Sequence, residues 1–426
     1  MINPKTFCIS PWTDVRINSD GRMNFCHYAN RDMIPAGENI TDITVDQYFN
    51  GPGSVAQARQ DLCDGKELKR CQHCYRDESV TDIGFRQRRN QQAAIFPGTD
   101  FEQSLRESTI YQEIYKPKQH PRFYHVSFSN ICNMACVMCD ASNSTMLATD
   151  WIKAGIISDG PIRQDWTDGP AWAEFLTHLL NNPEIMCLHV MGGEPMYHKK
   201  FKELIRFLVD NNHTDFHFTF VTNGSIYDAE LIEMLTKFKS VQIEISIESF
   251  DRSNDYIRWP SDTDVIQQNI LKYLQHRTDT VDIVLRTVPQ LLSLMQYNNM
   301  LSFALDNQVV IDSNILYRPD YFQPAVLPAD IKNIIRQRLQ PYAELDTEQD
   351  AVKNINIRNR GRIKQAIAAN ATLILDLLDR PMDDLAHKRQ ALIKYLKRMD
   401  QVRRIDVRNY VPELHDFLTS NGYDAN

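Results

Sequence analysis

The sequence predicts an α/β fold: a mostly parallel sheet with helical connections, preceded by a small cysteine-rich module and followed by a helical extension. Strand-like and helix-like segments alternate from Phe123 onward, which is the pattern of βα units. Five of the nine cysteines fall within the first 95 residues. From about Pro328 the apolar residues recur at helical spacing. These changes predict a module at residues 1–95, a linker at 96–122, the α/β domain at 123–327 and a helical region at 328–426.

The composition is typical of a globular protein, with 426 residues of which 42% are hydrophobic and 24% are charged. The formal net charge is −8 and no block of lysine or arginine stands out, so nucleic acid is not an expected partner. No apolar run reaches the roughly 18 residues that span a bilayer, and the residues up to Trp12 lack the layout of a secretion signal. We therefore expect no membrane association, a cytoplasmic location and reduced cysteines.

The N-terminal module combines a predicted hairpin with a pair of closely spaced cysteines. Residues 15–18 and 23–25 read as two short strands, and Gly21 supplies the positive φ of the turn between them. Cys71 and Cys74 form a knuckle that can present two thiolates to one metal. Four thiolates from the hairpin and the knuckle match a closed metal site, and cysteine spacing alone does not distinguish a structural zinc from an iron–sulfur cluster.

Six strand-like runs and the helices between them define the predicted α/β domain. The helical stretches carry apolar residues three and four positions apart, as in Phe201, Leu204 and Leu208. The predicted strands are Phe123–Asn130, Cys187–Gly192, Phe216–Thr222, Val241–Ile247, Val281–Val288 and Val309–Leu316. The predicted helices of the domain are His198–Asn211, Asp228–Lys239, Asp264–His276 and Leu294–Asp306. Those of the C-terminal region are Ile331–Gln340, Asn356–Leu378 and Leu385–Val402.

Three cysteines in a Cys-x3-Cys-x2-Cys array, Cys132, Cys136 and Cys139, follow the first of these strands. Thiolates this close together indicate ligands of one soft metal centre, because free cysteines rarely crowd without a redox or metal role. Three sulfurs fall short of the four that an ordinary cysteine-ligated cluster or a structural zinc takes. The array therefore predicts a cluster with one iron left to bind another molecule.

Polar and glycine-containing motifs follow the ends of the later predicted strands, where the active sites of such folds lie. After the second strand, the glycines allow close backbone approach and a glutamate offers an acceptor for a cation. In the fourth strand, polar residues recur at every second position and predict a row that faces a hydrated or ligand-filled lumen. The motif residues are Gly192, Gly193, Glu194, Pro195, Thr222, Asn223, Ser246 and Glu248.

The cysteine array and these motifs resemble the radical S-adenosylmethionine (radical SAM) superfamily. The resemblance implies an open, partial (β/α)6 TIM-like barrel in which Cys132, Cys136 and Cys139 hold a [4Fe–4S] cluster. S-adenosylmethionine chelates the fourth iron in that family, and its reductive cleavage gives a 5′-deoxyadenosyl radical that abstracts hydrogen from the substrate. Met138 stands where the family usually has an aromatic residue near the adenine.

The resemblance also assigns cofactor contacts to the strand-end motifs. Gly192 to Pro195 match the family's GGEP motif, whose carbonyls and glutamate bind the ammonium of S-adenosylmethionine. Thr222 and Asn223 match a Thr-Asn-Gly that lines the cofactor side of the barrel, and Ser246 and Glu248 match positions that contact ribose and methionine. Arg258 matches an arginine that binds the cofactor's carboxylate, a contact suited to a guanidinium. Arg286 and Asn314, on the fifth and sixth strands, are candidate substrate contacts.

The N-terminal module resembles the auxiliary-cluster domains called twitch and SPASM, here placed before the barrel instead of after it. Full SPASM domains use seven cysteines, so the five present imply one auxiliary [4Fe–4S] cluster, as in a twitch domain. The implied ligands are Cys8, Cys26, Cys71 and Cys74, with Cys63 left over. Cys187, within an apolar strand, is expected to pack and not to react.

The predicted function is radical chemistry on a peptide or small-molecule substrate, with a flavodoxin- or ferredoxin-type reductant as the partner. Two alternatives come from other classes. One is an RNA-modifying radical SAM enzyme, which the acidic charge balance disfavours. The other is a zinc-binding interaction protein without catalysis, in which the cysteines would hold zinc.

Overall fold

The chain forms two compact units in a computed structural model that describes residues 3, 5–78, 85–92, 120–159, 163–347 and 363–424. Unit 1 comprises Met1–Asn130, Gln164–Gly192 and Lys200–Thr219. Unit 2 comprises Ile131–Arg163, Gly193–Lys199 and Phe220–Asn426. The predicted linker at 96–122 lies outside the described residues except for 120–122. The predicted domain boundaries at 95, 122 and 327 stay predictions.

Eight strands form a mostly parallel sheet, which confirms the predicted α/β class and is consistent with a partial TIM-like barrel. The strands are β1 (Asp14–Ile17), β2 (Met23–Asn24), β3 (Phe123–Ser127), β4 (Cys187–Met191), β5 (His217–Thr222), β6 (Ser240–Ser246), β7 (Val281–Thr287) and β8 (Val310–Ser313). Their order in the sheet is β2-β1-β3-β4-β5-β6-β7-β8. The last six are the six predicted strands, with β3 and β8 each ending three residues earlier than predicted.

The helices follow the predicted alternation, and their buried positions follow the predicted periodicity. Phe201, Leu204 and Leu208 are buried on one side of the helix Lys199–Asp210. The α-helices are Ser10–Thr13, Val45–Asn50, Ser54–Cys63, Gln72–Glu78, Phe85–Gln92, Thr145–Lys153, Pro170–Leu180, Lys199–Asp210, Ala229–Leu235, Arg252–Ile257, Thr263–Gln275, Tyr297–Asp306, Ala329–Ala343, Ile363–Asp379, Leu385–Arg403 and His415–Ser420. The first seven residues of the predicted helix Asn356–Leu378 lie outside the described residues. Within the described ranges, no helix is both long and apolar enough to cross a bilayer.

In unit 1 the predicted hairpin is present and is part of the sheet. Strands β1 and β2 pair in antiparallel fashion, and Gly21 in the turn between them has φ +80°. Strand β1 also pairs in parallel with β3, with Val15 opposite Tyr124 and Ile17 opposite Val126. This second pairing was not predicted, since the module was expected to be separate from the sheet. Its physical reason is burial, because these four side chains are fully buried.

In unit 2, strands β6, β7 and β8 pair in parallel and are held by a largely apolar core. Ile243, Ile245 and Leu285 are fully buried. The helix Ile363–Asp379 packs on β8, where the side-chain amide of Asn370 donates to the Ile311 carbonyl at 2.9 Å. The C-terminal helices of the described residues are therefore part of the packing of unit 2.

Gly193, which follows β4 in sequence, takes a conformation that only glycine adopts without strain. Its φ is +57°, and a Cβ at this position would lie 2.3 Å from the carbonyl oxygen of Ile131. The neighbouring amide of Glu194 donates to the same carbonyl at 2.9 Å. Close backbone approach and positive φ together require glycine here.

We expect Gly193→Ala to lower the free energy of unfolding more than Gly155→Ala does. Both glycines lie in unit 2 at similar φ, +57° and +62°, but no atom lies within 4 Å of a Cβ at Gly155. The control should lose about 1–2 kcal/mol from the left-handed backbone. The Gly193 variant should lose about 1–3 kcal/mol more from the clash with Ile131. Urea unfolding of both variants measures the difference, and equal losses would contradict the close approach.

Candidate active site

The predicted cysteine array lies in a loop of unit 2 whose backbone is held on several sides. The amides of Ala135 and Val137 donate to the carbonyls of Trp259 and Ile257 at 2.6 and 2.9 Å. The hydroxyl of Ser144, which caps the helix Thr145–Lys153, donates to the Met134 carbonyl at 2.6 Å. These bonds fix the segment that carries Cys132, Cys136 and Cys139.

Burial keeps the three thiols of this loop protonated in the absence of a metal. It raises the pKa of Cys139 to about 12, with a smaller contribution from the neighbouring Cys136 charge. It also raises the pKa of Cys132, again with charges on Cys136 and Glu194 adding to the effect. Grouped thiols with raised pKa values suit a cation that stabilises their thiolate forms.

Whether the loop suits a metal centre depends on the chemistry of its donor side chains. Among the described residues, no three histidine, cysteine, aspartate or glutamate side chains are arranged as a ready-made metal site. The three thiols nevertheless share one loop and influence one another electrostatically. Soft sulfur donors of this kind fit an iron–sulfur cluster.

Glu194 is the centre of a second group of predicted residues in unit 2. Its carboxylate accepts hydrogen bonds from the Thr222 hydroxyl at 2.7 Å and from the Asn223 amide at 2.6 Å. It also accepts from the amide of Met196 at 3.0 Å, at the start of the turn Pro195–Tyr197. Burial raises the pKa of Glu194 to about 7, although these three bonds lower it. Glu194, Pro195, Thr222 and Asn223 are thus brought together as the sequence implied.

Asn133, within the cysteine loop, joins that loop to the Glu194 group. Its side-chain oxygen accepts from the Asn223 amide group at 2.8 Å, and its own amide group donates to the Ser225 hydroxyl at 3.0 Å. The sequence analysis gave Asn133 no role, although it lies between two of the cysteines. A polar residue at that position is the only sequence signal it offers.

Glu248 and Arg258 form a buried ion pair beside the cysteine loop. Arg258 donates from Nε to Glu248 at 3.1 Å and from Nη2 at 2.5 Å, and its Nη1 lies 3.9 Å from the sulfur of Cys136. Glu248 also accepts from the Val288 amide at 2.7 Å and from the Thr287 hydroxyl at 3.1 Å. Both residues were predicted as separate cofactor contacts, and the structure gives each the other as a partner. Ser246 is half-buried at the end of β6.

A polar row crosses β6, β7 and β8 in unit 2, as the alternation in the fourth predicted strand indicated. Glu244 accepts from Arg286 Nε at 2.7 Å, and from Gln242 at 3.1 Å. Arg286 also pairs with Asp312, whose side chain is half exposed. Asp312 was missed by the sequence analysis because a single aspartate in a short strand gives no pattern.

Met138 and Cys139 line a cavity of about 560 Å³ in unit 2. Aromatic side chains contribute much of its wall, namely Trp151, Tyr321 and Tyr395. The remaining predicted cofactor residue, Gly192, belongs to unit 1, where it has φ +82° and packs against Ser127.

The four cysteines predicted for an auxiliary cluster lie near one another in unit 1. Burial raises the pKa of Cys74 to about 11, and the next largest cause is the charge on Cys8. Burial and then Cys8 also raise the pKa values of Cys26 and Cys71. Cys8 is held from the helix Phe85–Gln92, where Asn90 accepts from the Ile9 amide at 2.8 Å. Cys63 is half-buried at the end of its helix, and Cys187 is half-buried in β4.

Comparison with known proteins finds one family model that matches part of the sequence. The model of the radical SAM superfamily matches residues 126–300. Among curated proteins, none matches the chain in sequence.

Two solved structures illustrate the similarity of fold. SuiB of Streptococcus suis bound to S-adenosylmethionine is 13% identical with a TM-score of 0.39, and the match covers 77% of this chain and 68% of SuiB. The native anSMEcpe structure with bound AdoMet is also 13% identical, with a TM-score of 0.36 and coverage of 52% and 60%. These distant similarities carry no argument about substrate. The family match covers residues 126–300, the segment that holds the cysteine array and the strand-end motifs, and this segment is similar to the radical SAM superfamily.

Proposed function

We propose that the protein reductively cleaves S-adenosylmethionine at a [4Fe–4S] cluster held by Cys132, Cys136 and Cys139, and abstracts hydrogen from a peptide or small-molecule substrate. The observation that carries this proposal is the loop of unit 2 on which three half-buried thiols lie beside the bonded groups of Glu194 and Arg258. When bound, the cluster supplies the electron that cleaves the cofactor to a 5′-deoxyadenosyl radical.

The residues around the loop would orient the cofactor. Glu194 is fixed by Thr222, Asn223 and Met196, so that its carboxylate is a preorganised acceptor for the cofactor's amino group. Arg258 would offer its guanidinium to the cofactor's carboxylate, with Glu248 holding its orientation. Ser246, Met138 and the Gly192 to Pro195 segment complete the proposed contacts.

The polar row of unit 2 is the proposed substrate-facing surface. Arg286 lies between Glu244 and Asp312, and it is partly exposed. Such a row offers both charges to a polar substrate, and Asn314 follows β8 directly. Peptides and small polar molecules carry the amides and carboxylates that these groups bind.

The cysteines of unit 1 would hold an auxiliary [4Fe–4S] cluster that relays an electron or binds substrate. The mutual influence of Cys8, Cys26, Cys71 and Cys74 supports a common centre. Four thiolates fit either a closed cluster or a structural zinc. The reductant for the catalytic cluster would be a flavodoxin or a ferredoxin.

We expect Cys136→Ala to abolish the formation of 5′-deoxyadenosine, because the loop then retains only two sulfur ligands. The measurement is chromatography of the products after anaerobic reconstitution with iron and sulfide, followed by dithionite and S-adenosylmethionine. Cys187→Ala, at the half-buried cysteine of β4, is the control and should retain cleavage. Undiminished cleavage by the Cys136 variant would refute the assignment of the catalytic cluster.

We expect Glu194→Gln to weaken S-adenosylmethionine binding about 10- to 100-fold at pH 8, the loss typical of a hydrogen bond to a charged group. The pKa of Glu194 is about 7, so the wild-type carboxyl gains a proton as the pH falls through that value. The difference between variant and wild type should therefore shrink at pH 6. Equilibrium binding to reconstituted protein at both pH values measures it.

Glu233→Gln is the control for this substitution, because the Glu233 side chain is 72% exposed and lies away from the Glu194 bonds. It should bind with the wild-type affinity at both pH values. Equal affinities of the Glu194 variant and wild type at pH 8 would remove Glu194 from the cofactor contacts.

We expect Cys71→Ala to lower the iron content from about eight to about four atoms per chain, since one of two four-iron clusters is lost. Cleavage of S-adenosylmethionine should continue. Metal analysis and product chromatography measure the two effects, and Cys63→Ala should keep the wild-type iron content. About four irons together with stoichiometric zinc in the wild type would instead identify a structural zinc in unit 1.

A further inference from the structure

The C-terminal helix Leu385–Arg403 ends in a buried arginine that contacts the cysteine loop. Arg403 donates from Nη2 to the carbonyl of Ala135 at 2.7 Å, one residue before Cys136. Its Nε donates to Asp150 at 2.9 Å, and its side chain is 1% exposed. All of these residues belong to unit 2. The last residue of this helix thus reaches the loop that carries the three cysteines.

One donor of this buried guanidinium is not used by the protein. Arg403 Nη1 is buried and has no hydrogen-bond partner among the described residues. A buried, unsatisfied donor on a charged group costs free energy, so such a group indicates a missing partner. The guanidinium also lies 6.0 Å from the centre of the Trp259 ring. The backbone carbonyl of Trp259 accepts a hydrogen bond from the loop amide of Ala135.

Two arginines lie beside the middle cysteine of the array. Arg258 Nη1 lies 3.9 Å from the sulfur of Cys136, and Arg403 donates to the carbonyl of the preceding residue, Ala135. Both guanidinium groups therefore place positive charge near this cysteine. They differ in their counterions, since Arg258 is paired with Glu248 and Arg403 with Asp150.

Asp150 determines how much of the Arg403 charge is compensated. It lies on the helix Thr145–Lys153, which follows the loop and is capped by Ser144. Arg403 and Asp150 are therefore a charge pair built into the two elements that hold the loop. A buried ion pair is weak evidence for a role in stability alone, since apolar residues of similar volume often replace such pairs without loss.

We propose that Arg403 is a positioning residue that stabilises the reduced state of the cluster at Cys132, Cys136 and Cys139 through its charge and its unused donor. The proposal rests on the proposed function. Reduction adds one electron from the reductant and breaks no bond, so the reduced centre carries one more negative charge. A fixed positive charge and hydrogen bonds to sulfur favour that state. The C-terminal extension thereby becomes part of the redox centre.

The test is a redox titration of the anaerobically reconstituted full chain with dithionite, followed by electron paramagnetic resonance. The signal that changes on addition of S-adenosylmethionine identifies the cluster of the three cysteines. Arg403→Gln should lower the equilibrium constant for its one-electron reduction about tenfold, which is about 59 mV. Asp150→Asn removes the compensating charge and should shift the constant in the opposite direction. Arg403→Lys keeps the charge and should stay within about twofold of the wild type.

Arg404→Gln is the matched control, because Arg404 is the next residue in the chain but is exposed. It should leave the titration unchanged. Shifts of the same sign in the Arg403→Gln and Asp150→Asn variants, or no shift in either, would overturn the proposal. A merely structural role does not predict that the two variants shift the equilibrium constant for reduction in opposite directions. If Arg403→Gln does not take up iron, Asp150→Asn decides, because a larger equilibrium constant for reduction supports the proposal and an unchanged or smaller one overturns it. A wild-type protein without an S-adenosylmethionine-sensitive signal would instead refute the proposed function itself.

Discussion

The structure depends on hydrogen bonds that satisfy the polar backbone of one short loop, on which three half-buried cysteines lie. Each unsatisfied backbone group in such a loop would cost about 1–3 kcal/mol. Its partners come from four parts of unit 2: the Glu194 amide, the carbonyls of Ile257 and Trp259, the Ser144 hydroxyl and the Arg403 guanidinium. Those parts lie far apart in the sequence, so the loop links them. A change in any of them is a change in the geometry of the cysteines.

Buried carboxylates of unit 2 are likewise satisfied by hydrogen bonds from several parts of the unit. Glu248 is fully buried, yet Arg258, Thr287 and the Val288 amide all donate to it. Asp400 is buried too, and it accepts from Tyr256 and from the Val407 amide at 2.7 Å each. Asp400 lies one helical turn before Arg403, so one side of the C-terminal helix holds both the cysteine loop and the helix Arg252–Ile257. Apart from Arg403 Nη1, these buried polar groups have hydrogen-bond partners, and such bonding favours a single arrangement of the region.

The sequence predicts what local pattern and spacing encode. Alternating apolar residues predict the six parallel strands, helical spacing predicts Lys199–Asp210, and Gly21 predicts the hairpin turn. Glu194, Thr222 and Asn223 are predicted as one group because each follows a strand of a parallel sheet. Long-range partners are not encoded in this way. Arg403 is 268 residues from Ala135, and nothing in its own helix distinguishes it from Arg398 or Arg404 before the fold is known. The Glu248–Arg258 pair was missed for another reason, since each residue already had a role implied by resemblance.

The parallel pairing of β1 with β3 changes what the N-terminal cysteine segment is. A module joined only by a linker can be removed without changing the edge strands of the remaining sheet. Here Val15 and Ile17 lie opposite Tyr124 and Val126. Removing the segment would therefore remove β1 from beside β3 and leave backbone donors and acceptors of β3 unpaired. An unprotected edge strand recruits other chains. The segment therefore covers backbone groups of β3 that would otherwise be open to pairing with another chain.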